Sequence, residues 1–134
     1  MKIGLIGRGS IAAAHEAAYA RIPDAEIVAV CDVREERLAG LGEGVRTYRD
    51  IDEMLTAEAG QLDYIDICLP TYLHAEVACR AMRAGFHVLS EKPMARSVAE
   101  CEEMCRVAKE TGRLLMAAYC NRFFSAFQIG RAHV

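Results

Sequence analysis

Residues 1–12 read MKIGLIGRGSIA, and this stretch decides the fold. The apolar residues before Gly7 predict a short buried strand that runs directly into a glycine turn. Gly7 permits a tight turn, and Gly9 lets the backbone approach a pyrophosphate because no Cβ stands in the way. A helix that begins near Ser10 would point the free N–H groups of Ser10 and Ile11 at the phosphate oxygens.

The next apolar run places an acidic residue where such a turn needs one. Residues 26–31 form a second predicted strand that ends at Asp32, 20 residues beyond Ala12. Ala12 replaces the third glycine of a G-x-G-x-x-G pattern, a position that requires only close packing of helix on strand. Glycines after a strand also occur in ordinary turns. Strand, turn, helix, strand and acid in this order nevertheless predict a dinucleotide site in which Asp32 bonds the adenosine ribose.

Composition limits the class of protein. The 134 residues are 53% apolar, which is enough for the core of one domain, and the net charge is −3. The arginines are scattered rather than clustered, so we expect no nucleic-acid partner. No apolar run approaches the length of a membrane span, and the early glycines interrupt any signal-peptide core. We therefore expect a cytoplasmic protein without a membrane partner.

Six cysteines occur without a C-x-x-C pair. They fall in predicted strands and helices, and we expect small buried hydrophobic residues in a reducing compartment. The six are Cys31, Cys68, Cys79, Cys101, Cys105 and Cys120. Cys101 and Cys105 share a helix face, but no histidine pair lies nearby, so we expect no metal site.

The rest of the chain alternates between strand and helix patterns. Strand patterns cover residues 45–48, 64–69, 86–90 and 114–118, and helix patterns cover 10–21, 34–41, 50–55, 71–84 and 97–111. We expect Thr71 to cap one helix, and Ser97 with Glu100 to form a capping box on another. The alternation predicts an α/β fold of the Rossmann type, a doubly wound parallel sheet in a three-layer αβα arrangement with right-handed crossovers.

Special residues follow several strands at their carboxyl ends. Pro70 and Thr71 come after the fourth strand, the Glu-Lys-Pro element 91–93 after the fifth, and residues 119–123 after the sixth. Ligands bind at this end of a doubly wound sheet. We therefore expect these residues and the glycine turn to face one crevice.

The final residues fit no element. The nucleotides ATCGGAAGAGCACACGTC, which begin a common sequencing-adapter oligonucleotide, translate to residues 129–134. We expect residues 128–134 to be a non-native, adapter-derived tail. We expect residues 124–127 to begin a crossover to a C-terminal substrate domain that this chain lacks. The alternative is a genuine tail, which a chromosomal copy encoding the same residues and then a stop would establish.

Together these motifs resemble the N-terminal domain of the Gfo/Idh/MocA oxidoreductases, the glucose–fructose oxidoreductase and inositol dehydrogenase family. The resemblance covers about residues 1–125 and rests on Asp32 and four motifs: GRGSIA at 7–12, PTYLH at 70–74, SEKP at 90–93 and YCNRF at 119–123. It implies an NAD(P)-binding Rossmann domain at residues 1–123, followed by a larger α/β domain whose open sheet forms the substrate face. Members mostly oxidise a secondary alcohol of a sugar, cyclitol or related polyol, and we expect the full-length protein to be a homo-oligomer.

By this resemblance Lys92 is the catalytic residue. Its ammonium would hydrogen-bond the reacting oxygen beside the nicotinamide and stabilise alkoxide character as hydride leaves, while Glu91 would hold the cofactor or position Lys92. His74 would lie near the cofactor ribose or only occupy the first turn of its helix. Arg122 would contact substrate or nicotinamide, or pair with the next domain. The expected cofactor-binding residues are Gly7, Gly9, Ser10, Ile11, Asp32, Pro70, Thr71, His74, Glu91 and Arg122.

The expected cofactor is NAD rather than NADP, because Asp32 would repel a 2′-phosphate while bonding a free ribose hydroxyl. Arg34 and Arg37 keep NADP open. Two departures from the family matter: Ala118 stands where many relatives carry glycine, and the usual catalytic histidine lies in the second domain. Alcohol oxidation needs a proton acceptor as well as a hydride acceptor, so Lys92 alone does not complete the acid–base mechanism. A non-catalytic NAD(P)-binding regulatory module is the alternative function, and hydrolysis or elimination through a transient ketone with tightly held NAD is a third.

Overall fold

A six-stranded parallel sheet forms the centre of the computed structural model, which describes residues 1–124. The strands are β1 (Lys2–Ile6), β2 (Glu26–Cys31), β3 (Arg46–Tyr48), β4 (Tyr64–Ile67), β5 (His87–Ser90) and β6 (Leu115–Ala117). Their order across the sheet is β3-β2-β1-β4-β5-β6, and every neighbouring pair is parallel. This is the strand order of a doubly wound dinucleotide-binding sheet, so the predicted fold class is confirmed. The expected tail at 128–134 and all but the first residue of the expected crossover lie outside the described residues.

Four α-helices lie within residues 1–124 and connect the strands, and two helix predictions are wrong. The helices are α1 (Ala12–Tyr19), α2 (Ile51–Ala57), α3 (His74–Arg83) and α4 (Val98–Thr111). Residues 34–41 form only the short 3-10 turn Glu35–Leu38, because Ala39 is extended and Gly40 takes a left-handed φ of +70°. Thr71 makes no capping bond, since it already lies within the 3-10 turn Thr71–Leu73 that precedes α3.

The predicted Ser97 cap and the Gly112 end of α4 are confirmed, and the predicted capping box is only half formed. The Ser97 hydroxyl accepts a hydrogen bond from the Glu100 amide, which satisfies one of the free donors at the helix start. The Glu100 carboxylate accepts from the Arg96 amide and guanidinium rather than completing a strict capping box. Gly112 ends the helix with a left-handed φ of +66°.

The sheet is buried on both faces, which explains its nearly continuous apolar strands. Successive residues of a strand point to opposite faces. Ile6 and Ile67 pack with residues of α2, α3 and α4 in one core cluster. Leu5 and Val30 pack with Ala12 of α1 in a second cluster, and Leu38 of the 3-10 turn packs against it. The turn therefore occupies part of the layer where a helix was expected, and the three-layer arrangement holds.

The six cysteines differ in burial, and Cys101 is half-buried. Cys31, Cys68 and Cys79 are buried, as expected of small hydrophobic side chains in strands and helices. Cys105 and Cys120 are exposed, so the expectation that all six are buried is wrong. Cys105 is exposed because it lies on the solvent side of α4, and Cys120 is exposed because it begins the exposed 3-10 turn Cys120–Phe123.

Among residues 1–124, none of the helices combines the length and the apolar character that a membrane span requires.

Candidate functional site

A cleft of about 530 Å³ opens at the carboxyl ends of β1, β2 and β4. Six of the predicted site residues line it: Gly7, Gly9, Ser10, Ile11, Asp32 and Pro70. Exposed Val33 and Tyr72 also line the cleft, although neither was among the predicted site residues. The other predicted residues, Thr71, His74, Glu91, Lys92 and Arg122, lie outside this lining.

Gly7 is the tightest point of the cleft wall. Its φ is +88°, and a Cβ built there would lie 2.8 Å from the carbonyl oxygen of Cys68 and 2.9 Å from a methyl group of Leu69. Its amide donates to the Cys31 carbonyl at 2.8 Å, which ties the turn to the end of β2. Both the left-handed conformation and the close approach of the chain after β4 therefore require glycine here.

The turn that follows leaves backbone donors open. Helix α1 begins at Ala12, two residues later than predicted, and Ile11 occupies its N-cap without a side-chain capping bond. Within the described part of the chain, no group accepts a hydrogen bond from the amides of Gly9, Ser10 or Ile11. A Cβ at Gly9 would meet only the Arg37 guanidinium, at 3.8 Å, so the backbone is open to a ligand. These amides and the helix dipole suit the phosphates of a dinucleotide.

Asp32 directly follows β2 and is buried in the cleft wall. One carboxylate oxygen accepts from the Arg34 amide at 2.9 Å, and the other accepts from the Arg8 amide at 2.8 Å and the Arg37 guanidinium at 3.2 Å. Burial favours the neutral acid, but these amide and guanidinium donors outweigh it and hold the pKa of Asp32 below its usual range. The residue is therefore a fixed negative charge beside the glycine turn.

Arg8 braces the same region and was missed by the sequence reasoning. Its guanidinium bonds Glu16 of α1 at 2.6 Å and the carbonyls of Arg37 and Ala39 at 2.7 and 2.8 Å. The side chain thus joins the glycine turn, the first helix and the 3-10 turn that follows β2.

The Glu-Lys-Pro element lies just beyond β5, on the strand beside β4. Glu91 is buried, and its amide donates to the Ile67 carbonyl at 2.9 Å. Its carboxylate accepts from the Lys92 amide at 2.8 Å, so the Glu91 side chain folds back over its own backbone. The Lys92 side chain is exposed, and its ammonium forms no ion pair with any residue among 1–124. It is therefore free to meet a ligand oxygen.

His74 is buried at the start of α3 rather than open to the cleft. One ring nitrogen lies 2.8 Å from the Pro93 carbonyl, and the other lies 2.8 Å from the Leu69 carbonyl. The ring therefore links the segment after β4 to the turn that holds Lys92. Arg122 lies in the exposed 3-10 turn Cys120–Phe123, and its predicted contacts stay a prediction.

A buried polar cluster beneath Glu91 was also missed. Asp66, in the middle of β4, is 0% exposed, and one of its oxygens lies 2.7 Å from His15 Nδ1 and accepts from the Tyr19 hydroxyl at 2.6 Å. His15 Nε2 lies 3.0 Å from the Glu91 carboxylate. The hydrogen bond to Asp66 is the main cause that raises the pKa of His15 to about 11. The sequence did carry a signal: an aspartate inside an apolar strand must have a partner.

The same cluster contains the side chains with metal-ligand spacing in the described range 1–124. His15, Asp66 and Cys68 each offer one ligand atom, and these atoms lie within 4.8 Å of one another. The histidine nitrogen and the carboxylate oxygen already bond each other at 2.7 Å, so the group is a satisfied hydrogen-bond network. Burial is the main cause that raises the pKa of the Cys68 thiol, which disfavours a thiolate ligand.

Comparison with known proteins agrees with this geometry. The Gfo/Idh/MocA family model, described as an oxidoreductase family with an NAD-binding Rossmann fold, matches residues 1–119. A D-glucoside 3-dehydrogenase of Escherichia coli is 33% identical over 92% of this chain, which corresponds to 36% of that protein. A myo-inositol 2-dehydrogenase of Thermotoga maritima is 32% identical over 100% of this chain and 43% of that protein.

Solved structures show the same likeness. The WlbA dehydrogenase of Bordetella pertussis, in complex with NADH and UDP-GlcNAcA, superposes with a TM-score of 0.89 at 33% identity, over 96% of this chain and 40% of that one. The scyllo-inositol dehydrogenase of Lactobacillus casei, with bound NAD(H) and scyllo-inositol, gives 0.86 at 26% identity, over 98% and 40% of the two chains. The chain thus spans about two fifths of the length of these relatives.

Proposed function

The chain belongs to the Gfo/Idh/MocA oxidoreductase family with its NAD-binding Rossmann fold, and on that premise we propose a function for the protein it represents. It is the cofactor-binding part of an NAD(P)-dependent dehydrogenase that oxidises a CH–OH group of a sugar, cyclitol or related polyol. Relatives named for glucoside, inositol and apiose oxidation support this substrate class. The substrate-binding remainder, the homo-oligomer and the precise polyol are parts of the same proposal.

The observation that carries the proposal is the placement of Lys92. Its turn follows β5, whose neighbour β4 ends at the cleft, so the lysine turn lies one strand away from the cleft at the same end of the sheet. NAD, when bound, supplies the hydride acceptor. The Lys92 ammonium would donate a hydrogen bond to the alcohol oxygen, orient its carbon and stabilise the negative charge that develops on that oxygen. An open ammonium next to the cleft favours this role over that of a module that only binds.

The cofactor would be held by the residues that line the cleft. The open amides of Gly9, Ser10 and Ile11 would donate to the pyrophosphate, and Asp32 would accept from a ribose hydroxyl. Asp32 stays ionised because three donors hold it, so it would repel a 2′-phosphate. We therefore propose a preference for NAD over NADP. Arg37, whose guanidinium bonds Asp32, is the side chain best placed to bind a 2′-phosphate and so to reverse this preference.

The test separates a dehydrogenase from a regulatory module. The full-length protein from the source gene is incubated with NAD⁺ and a panel of sugars and cyclitols, and NADH formation is recorded. We expect turnover with at least one polyol, and a loss in kcat of about 100-fold or more in the Lys92→Met variant, the usual weight of a general acid–base group. NADH binding without turnover of any polyol would refute the dehydrogenase and leave the regulatory module. The 134-residue chain should bind NADH without turnover, because the substrate side of the crevice is not part of it.

A further inference from the structure

The turn that carries Lys92 is hydrogen-bonded to a histidine of the first helix, His15, through Glu91. His15 lies on α1, directly after the glycine turn, and its side chain is only 12% exposed. Both ring nitrogens face carboxylate oxygens: Nδ1 lies 2.7 Å from Asp66 and Nε2 lies 3.0 Å from Glu91. Carboxylates only accept hydrogen bonds, so a ring with both nitrogens protonated satisfies both partners at once.

The two carboxylates differ in what they attach to. Asp66 is fixed within β4, where the Tyr19 hydroxyl also bonds it and the Cys68 thiol lies 3.9 Å away. Glu91 is the residue that precedes Lys92, and its second carboxylate oxygen accepts the Lys92 amide at 2.8 Å. A continuous path of hydrogen bonds therefore runs from the interior of the sheet, through His15, to the backbone of Lys92.

We propose that His15 is a positioning residue of the dehydrogenase, which holds the Glu91 carboxylate so that this carboxylate fixes the backbone of Lys92. The inference rests on the proposed function of Lys92, but its physical content concerns the turn alone. The brace joins the helix that begins at the glycine turn to the lysine turn, so it fixes the lysine relative to the cofactor cleft. A buried charged histidine between two carboxylates resists rotation, because any other ring position would leave a buried charge unpaired.

A second histidine limits what the loss of His15 should do. His74 holds the Pro93 carbonyl at 2.8 Å, so the far end of the turn keeps its own anchor. The structure therefore predicts a loosening at Glu91 and Lys92 that exceeds any change in the core of the sheet. A purely structural role for His15 would instead weaken the turn and the core equally.

Two substitutions of His15 distinguish the roles of its two ring nitrogens. The amide nitrogen of glutamine reaches about as far as Nε2, so His15→Gln retains a donor for Glu91 and loses the one for Asp66. The amide nitrogen of asparagine reaches about as far as Nδ1, so His15→Asn retains the donor for Asp66 and loses the one for Glu91. The two variants remove the same charge and differ in which carboxylate keeps a donor.

The measurement is amide hydrogen exchange by NMR on the 134-residue chain, with the Lys92 amide compared against the Val30 amide in the core of β2. We expect His15→Asn to raise the Lys92 exchange rate about tenfold relative to Val30, and His15→Gln to stay within about threefold of the parent chain. Equal effects of the two variants, or no change at Lys92 in His15→Asn, would overturn the proposal. Exchange that rises equally at both amides would show a merely structural role and overturn it too.

A second observation needs no variant. The ¹⁵N shifts of the His15 ring in the parent chain should show both nitrogens protonated at pH 8, and a neutral or rotating ring would overturn the brace even where a variant fails to fold. NADH binding is measured on the same sample. Failure of the parent chain to bind NADH would refute the proposed function while leaving the exchange result as it stands, so the two failures are distinguishable.

Discussion

Gly7→Ala is the most informative single change, because two separate features of the structure forbid a side chain there. The left-handed φ of +88° costs an alanine about 1–2 kcal/mol. The new methyl group would also lie 2.8 Å from the Cys68 carbonyl oxygen, a backbone atom that cannot rotate away. Overpacking of this kind costs about 1–3 kcal/mol more. We therefore expect the free energy of unfolding to fall by about 2–5 kcal/mol.

Gly85→Ala is the matched control. Gly85 has a similar φ of +97°, but no atom lies within 4 Å of the Cβ it would gain, and it precedes the amino end of β5, at the end of the sheet opposite the cleft. This variant should lose only the conformational part, about 1–2 kcal/mol. Urea unfolding followed by circular dichroism gives both values, and an NADH titration of the folded proteins gives the affinities. Affinity should fall in Gly7→Ala and stay unchanged in Gly85→Ala.

The test of the close approach at Gly7 is the difference in stability and NADH affinity between Gly7→Ala and Gly85→Ala. If they lose equal stability and both keep full NADH affinity, the close approach at Gly7 has no energetic weight, and our account of the glycine turn is wrong.

Three further predictions concern charged groups. Asp32→Ala should raise the ratio of NADPH to NADH affinity about tenfold or more, measured by calorimetric titration, and an unchanged ratio would contradict our assignment of that carboxylate. Arg46 bonds the fully buried carboxylate of Glu58 at 2.5 and 2.7 Å. Arg46→Met leaves that carboxylate without its cation, so the free energy of unfolding in urea should fall by about 3 kcal/mol. Glu58→Gln leaves no buried charge unpaired, so its free energy of unfolding should fall by clearly less. Equal losses would show that the buried carboxylate needs no partner. The raised pKa of His15, about 11 against 6.5, means that its stabilisation is complete below pH 6.5 and declines as pH rises toward 11, by at most about 1.4 kcal/mol per pH unit. His15→Gln should lack this decline in urea unfolding between pH 7 and 10, and an identical decline in both proteins would count against the charged ring.

The fold was readable from the sequence because its signals are local and agree with one another. The apolar runs, the glycine turn and the cap at Ser97 each depend on a few adjacent residues, and each predicted strand appears within about two residues of its expected bounds. The 34–41 region failed because its leucines allow a helix locally, while the glycines after it favour an extended exit. Helix propensity within one segment cannot predict which of these two tendencies prevails, because the outcome also depends on how Leu38 packs against the sheet.

The site was readable only in part. Gly7 and Asp32 were found because a motif with fixed spacing names them, and both line the cleft. His15, Asp66 and Glu91 come together from three elements that are far apart in the chain, and no spacing rule predicts a contact between residues 51 and 76 positions apart. Such clusters depend on strand order and on which face each side chain takes, which become known only once the sheet is assembled.

The central claim is that this chain binds NAD in the cleft at the carboxyl ends of β1, β2 and β4. An NMR titration of the ¹⁵N-labelled chain with NAD⁺ tests it most directly, because each open amide reports separately. We expect saturable shifts at Gly9, Ser10 and Ile11, while the Gly85 amide, at the amino end of β5 and away from the cleft, stays unmoved. Saturation that leaves the three amides unchanged, or no binding at all, would contradict it.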